Sequence, residues 1–169
     1  MADGYRIEKH SLGEMQVPAD ALYGAQNGVV YRVNPADGTW AAIPGSYAGT
    51  QFLAWAGGAL MVIQNDTLYR VNPVDGTYST LPSTYAGTTA IAGSATALYV
   101  VQGDTLYEVN PTSGEYRSIG GGYAGTTELT VVDGMVYCIW GSALWRINPA
   151  DGTYTAMGSS WAGTTAMTS

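Results

Sequence analysis

Four aromatic residues stand 38 positions apart, each heading the same short phrase: Tyr47-Ala48-Gly49-Thr50, Tyr85-Ala86-Gly87-Thr88, Tyr123-Ala124-Gly125-Thr126 and Trp161-Ala162-Gly163-Thr164. An aromatic ring is a large, flat, largely apolar surface. The apolar face of a sugar ring stacks on such a surface while adjacent polar groups bond its hydroxyls. Four asparagines keep the same step, Asn34, Asn72, Asn110 and Asn148, each opening an Asn-Pro turn that ends in Gly. Tyr47, Tyr85, Tyr123 and Trp161 with these four asparagines form the candidate ligand-contacting set, and carbohydrate is the ligand class they suit. Repetition would add weak sites into avidity. The same residues also have plain structural uses. An aromatic can plug the seam between two repeats, and an Asn can cap its own turn through the backbone.

Catalytic chemistry is poorly provided for. His10 is the only histidine and lies outside the repeated region, so no Ser-His-Asp or Cys-His arrangement can be built within it. Cys138, also alone, sits in the apolar run Val136-Tyr137-Cys138-Ile139-Trp140 and reads as a small buried hydrophobe. No His/Cys spacing suits a transition metal. The single carboxylates of the turns, Asp37, Asp75 and Asp151, become Ser113 in the third repeat, too few for Ca²⁺ with its about six to eight oxygens. Glu108, Glu115, Glu128 and Asp133 do not recur as paired carboxylates. No catalytic residue, metal or cofactor is expected.

Charge narrows the partners. Six Lys and Arg are scattered against 13 Asp and Glu, a net charge of −7, without the clustered positive charge that nucleic acid or an anionic membrane requires. No apolar run approaches the ~20 residues of a membrane-spanning helix. The opening Met1-Ala2-Asp3-Gly4-Tyr5-Arg6 lacks the apolar core of a signal peptide, so a soluble, cytoplasmic protein is expected.

The elements that must position the aromatics follow from one repeat. Thr88–Gly93 is a small-residue strand, Ala97–Gln102 a strongly apolar one, Leu106–Val109 a third and Glu115–Ile119 a polar fourth. Gly103-Asp104 is a hairpin signal, and Asn110-Pro111-Thr112-Ser113-Gly114 a reverse turn. A period of this length means a supersecondary unit stacked on copies of itself, because one unit cannot bury its own apolar face. Four short antiparallel strands per unit, graded from small to apolar to polar, make a propeller blade, slim at the axis and solvated at the rim. The chain therefore reads as all-β, a β-propeller of four blades with four antiparallel strands each.

The strand count is uneven. Five segments could serve as an inner strand, including Leu12–Val17 at the start and Thr164–Ser169 at the end. If Thr164–Ser169 pairs with Ala21–Gln26, the propeller closes through its two ends. If Leu12–Val17 fills that place, the tail is left as an edge that could add to a second molecule. A leader over residues 1–17 and a propeller over 18–169 are the expected divisions.

Two resemblances accompany these readings. Tyr5-Arg6-Ile7-Glu8-Lys9-His10-Ser11-Leu12-Gly13-Glu14 and Val17-Pro18-Ala19-Asp20-Ala21-Leu22-Tyr23-Gly24-Ala25-Gln26 resemble the opening of the class II fumarase/aspartase family. Those enzymes continue into long helices and a Gly-Ser-Ser-x-Met-Pro loop, whereas here Gly158-Ser159-Ser160 runs into Trp161-Ala162-Gly163, and no lyase residue carries over. From Asn27 to Ser169, the Leu-Tyr/Trp-Arg-Val-Asn-Pro-x-Asp-Gly turn and the aromatic-Ala-Gly-Thr return are similar to tectonin and tachylectin propeller repeats. That resemblance implies a non-enzymatic, lectin-like module with glycan sites between neighbouring blades. The alternative is a structural protein that self-assembles through Leu12–Val17 or Thr164–Ser169 into a ring or filament.

Overall fold

The structure is a computed structural model that describes residues 5–10, 13–18, 21–164 and Met167. A two-stranded hairpin, β1 (Tyr5–His10) and β2 (Gly13–Pro18), stands as a sheet of its own. Four antiparallel blades follow. The first holds β3 (Leu22–Gln26), β4 (Val29–Val33) and β5 (Trp40–Ala42), and the second β6 (Thr50–Ala56), β7 (Ala59–Gln64), β8 (Thr67–Val71) and β9 (Tyr78–Thr80). The third holds β10 (Thr88–Gly93), β11 (Leu98–Gln102), β12 (Thr105–Val109) and β13 (Tyr116–Gly121), and the fourth β14 (Glu128–Val132), β15 (Met135–Trp140), β16 (Ala143–Ile147) and β17 (Tyr154–Ser159).

The all-β, four-bladed propeller expected from the repeat is therefore what the chain forms, and no helix occurs among the described residues. The first blade has three strands among these residues. Gly13–Pro18 pairs with Tyr5–His10 rather than entering that blade as an inner strand, while Leu12 lies outside the described residues. Of the tail Thr164–Ser169, four residues lie outside them too, so its pairing with β3 is not described. Ala21–Tyr23, Leu53–Trp55, Ile91–Gly93, Leu129–Val131 and Met167 line one cavity of about 330 Å³, to which all four blades contribute.

The cores lie between blades, not within them. Val30, Ile43 and Tyr47 of the first blade pack with Leu60, Val62 and Val71 of the second. Met61, Ile63, Leu68, Leu81 and Tyr85 meet Leu98, Val100 and Val109 of the third. Tyr99, Val101, Leu106 and Tyr123 meet Leu129, Val136, Cys138 and Ile147 of the fourth. Strand alternation explains this sharing. Successive side chains point to opposite faces, so an all-apolar strand such as Ala59–Gln64 feeds one core with Leu60 and Val62 and the next with Met61 and Ile63. Cys138 is fully buried here, and burial pushes its thiol up to about 12, so the inert hydrophobe read from the sequence is what the fold contains.

The turn between the third and fourth strands of each blade is built from its own side chains. Asn34 Oδ1 accepts from Ala36 N at 2.9 Å, and the carboxylate of Asp37 accepts from both the backbone N and the hydroxyl of Thr39. Gly38 closes the turn at φ 73°, in the left-handed region that a side chain disfavours. Asn72-Asp75-Thr77 and Asn148-Asp151-Thr153 repeat the pattern, and Ser113 performs the Asp role for Glu115 N in the third blade.

These bonds predict an acid dependence. Hydrogen bonds from Thr39 hold the Asp37 carboxyl below the ordinary 3.8, and those from Thr77 and Thr153 do the same for Asp75 and Asp151. A carboxyl depressed in the folded state stabilises the fold fully above its unfolded value and loses that contribution as pH falls through the folded one. Melting temperature is expected to hold through pH 5 and fall below about pH 4. Asp75→Asn should flatten that fall, and an unchanged acid limb in Asp75→Asn would show that the turn carboxylates contribute nothing.

Candidate functional site

Equivalent clefts open at the blade junctions, each with one of the periodic aromatics as its floor. Tyr47 is fixed by its own loop: its N–H donates to Gly28 O at 3.0 Å, its hydroxyl to Pro44 O at 3.1 Å, and Thr50 Oγ1 donates back to Tyr47 O at 2.7 Å. Tyr85 and Tyr123 make the same return to Asp66 O and Asp104 O. All three are no more than 5% exposed. Burial raises their phenols above the ordinary value, Tyr85 to about 12, so each stays protonated at neutral pH.

The walls come from the following blade. Tyr47 meets Val62, Gln64, Tyr69, Val71 and Tyr78 around a cleft of about 230 Å³. Tyr85 meets Val100, Gln102, Tyr107, Val109 and Tyr116 around one of about 180 Å³. Tyr78 sits edge-to-face on Tyr69 at 5.6 Å and Tyr116 on Tyr107 at 5.7 Å, which leaves the outer ring of each pair exposed as a lip. Gln64 Nε2 donates to Ala48 O at 2.5 Å and Gln102 Nε2 to Ala86 O at 2.7 Å, so each carboxamide clamps the loop of the preceding blade and borders the cleft.

The third junction departs from this. Trp140 stands where Gln64 and Gln102 stand, Trp145 replaces the tyrosine, and their rings lie 5.4 Å apart. The cleft above Tyr123 shrinks to about 40 Å³. A cross-blade contact also reinforces this junction: Arg117, paired with Glu108, donates to Pro149 O of the fourth blade at 2.7 Å. At the end of the fourth blade Trp161 is 41% exposed, unlike the buried Tyr47, Tyr85 and Tyr123.

Of the expected site residues, the fold gathers Tyr47, Tyr85 and Tyr123 into clefts. It places the four asparagines in their Asx turns, and none of them is among the residues that line these clefts, although Gly76 of the Asn72 turn is. The cleft walls Tyr69, Tyr78, Tyr107, Tyr116, Gln64 and Gln102 were not singled out as ligand contacts, although they keep the same 38-residue step. Among the described residues, no group of three or more His, Cys, Asp or Glu could hold a metal ion.

These features define a β-propeller with aromatic inter-blade clefts. Its fold is similar to a chain of the nidogen–laminin complex (TM-score 0.66, 14% identity, 98% of this chain and 78% of the other). It is also similar to U3-55K (TM-score 0.63, 11% identity, 80% and 47%). A third likeness is to PorZ, an essential surface component of the type-IX secretion system of Porphyromonas gingivalis (TM-score 0.59, 14% identity, 83% and 20%). The chain spans less than half the length of the latter two, and at these identities the likeness is one of fold. No protein-family model and no curated protein sequence matches the chain.

Proposed function

We propose that this protein is a non-enzymatic binding module that takes carbohydrate in the clefts between its blades. The observation that carries the reading is the paired occurrence of one design: a buried tyrosine floor, an exposed tyrosine lip and a clamped glutamine, at the first two junctions. Clefts of 180 and 230 Å³ lie below the about 300–1,000 Å³ of a site that encloses a small molecule. They suit one sugar ring, stacked on the lip and edged by hydroxyl and amide groups. Affinity for a single ring is expected near 1 mM, about −4 kcal/mol.

The test is saccharide titration by calorimetry and ligand-observed NMR over a panel of neutral and N-acetylated sugars. Two equivalent sites per chain are expected, because the third cleft is filled by Trp140 and Trp145. Tyr78→Ala and Tyr116→Ala should each remove one site and leave the melting temperature nearly unchanged, since both rings are exposed. A panel in which no sugar binds below about 10 mM, or binding that survives the double substitution, would sink the reading.

A further inference from the structure

Among the described residues three junctions are filled, and the two faces that would make a fourth are present and exposed. Each junction joins a trailing face, carrying the floor aromatic, to the leading face of the next blade. Repeat equivalence identifies the two unmatched halves. On the first blade's leading face Leu22 is 59% exposed, whereas its equivalents Leu60, Leu98 and Val136 are at most 1% exposed. On the fourth blade's trailing face Met157 is 49% and Trp161 41% exposed, where Ile43, Leu81, Tyr47 and Tyr85 are buried. An independent sign comes from the turn glycines. A Cβ on Gly76, Gly114 or Gly152 would run into the preceding blade, at Pro44, Pro82 and Ile119, while one on Gly38 would meet nothing within 4 Å.

The two faces match each other in size and polarity. At filled junctions a tyrosine floor meets Val62 or Val100; at the ends the floor is the larger Trp161 and the position opposite is Gly24, whose Cβ direction is open space. Gln26 stands exposed where Gln64 and Gln102 clamp the carbonyls two residues apart in the preceding return loop. Its counterparts are the carbonyls of Ser160 and Ala162.

We propose that the first blade of a second copy of this chain docks on the fourth blade, head to tail, seating Trp161 against Gly24 and completing a fourth aromatic cleft from Trp161 of one copy and Tyr31 and Trp40 of the next. The occupant is a second copy because the surface that fits is this chain's own leading face, repeated three times inside it. The contact is heterologous: two different patches meet, so assembly runs to a ring or continues as a filament. The assembly is independent of sugar binding; only the role of the fourth cleft rests on that reading.

Light scattering and sedimentation across a concentration series test it without any ligand. The native chain is expected to exceed its 17.7 kDa sequence mass by whole multiples as concentration rises. Leu22→Asp and Met157→Asp, both at exposed positions, should each hold the chain at the monomer mass with unchanged circular dichroism. Mixed one to one, the two variants keep one good face each and should form a dimer of 35 kDa or so, about twice the monomer, and stop there. A native chain that stays monomeric at the highest concentration overturns the proposal, as does assembly that either variant leaves intact. Sugar titration on the monomeric variants separates the two readings: loss of assembly should leave the first two clefts occupied.

Discussion

Leu98→Ala is expected to lower the unfolding free energy by about 3 kcal/mol, whereas Leu22→Ala, at the equivalent position two repeats earlier, should change it by less than about 0.5 kcal/mol. Leu98 is fully buried between the second and third blades among Val100, Val109 and Leu81. Removing it forfeits the transfer of a leucine side chain from water and leaves a void that rigid strands on both sides cannot close. Leu22 is 59% exposed, so most of its side chain is in water already. Urea unfolding followed by circular dichroism, at a concentration where light scattering shows only monomer, reads both. Equal losses for the two substitutions would mean that the first blade's leading face is covered in the isolated chain, and would remove the ground for head-to-tail docking.

The second large effect is expected at Gly93. A Cβ there would overlap the carbonyl of Trp55 and press on Ala56, backbone against backbone across the second junction. Gly57 N donates to Ser94 O at 3.1 Å beside it, so the two inner strands cannot separate without losing that bond as well. Gly93→Val should cost about 3 kcal/mol, the upper part of the range for overpacking, because neither obstacle is the end of a flexible side chain. Gly24→Val is the control: the same substitution, ordinary backbone, and open space around the new group. Its expected cost is below about 0.5 kcal/mol. A Gly93→Val protein with native stability would show that the inner strands are not packed as described.

How far this could be read in advance differs by feature. The Asn-Pro-x-Asp-Gly turn was legible, since Pro fixes its φ, Asn bonds its own backbone and Gly accepts the left-handed position that closes the turn. The buried state of Tyr47, Tyr85 and Tyr123 was one of two readings, because an aromatic beside a Gly turn suits both a plug and a platform. They are floors, and the exposed platforms are Tyr78 and Tyr116 from the following blade. That partnership crosses repeats, so no local pattern reveals it. Trp140 was legible as a break in the periodic Gln, yet its consequence, a filled cleft, needs the neighbouring Trp145 in space. The leader was the least legible. Leu12–Val17 has strand-like composition, but which strand it joins depends on a partner, and Gly13–Pro18 takes Tyr5–His10.

The crowding of Tyr123, Trp140, Trp145 and Tyr154 has an optical consequence. Two indoles 5.4 Å apart and inclined by 42° couple their electronic transitions, with a tyrosine flanking each side. The third junction therefore carries its own chiroptical signature in the near ultraviolet, distinct from the tyrosine pairs of the first two. Both indoles stand on the fourth blade, Trp140 on β15 and Trp145 on β16. During denaturation the disappearance of this signature marks the moment these two strands lose their packing, while far-ultraviolet signal follows the strands of all blades. One natural chromophore pair thus lets the unpacking of a single blade be timed without adding a probe.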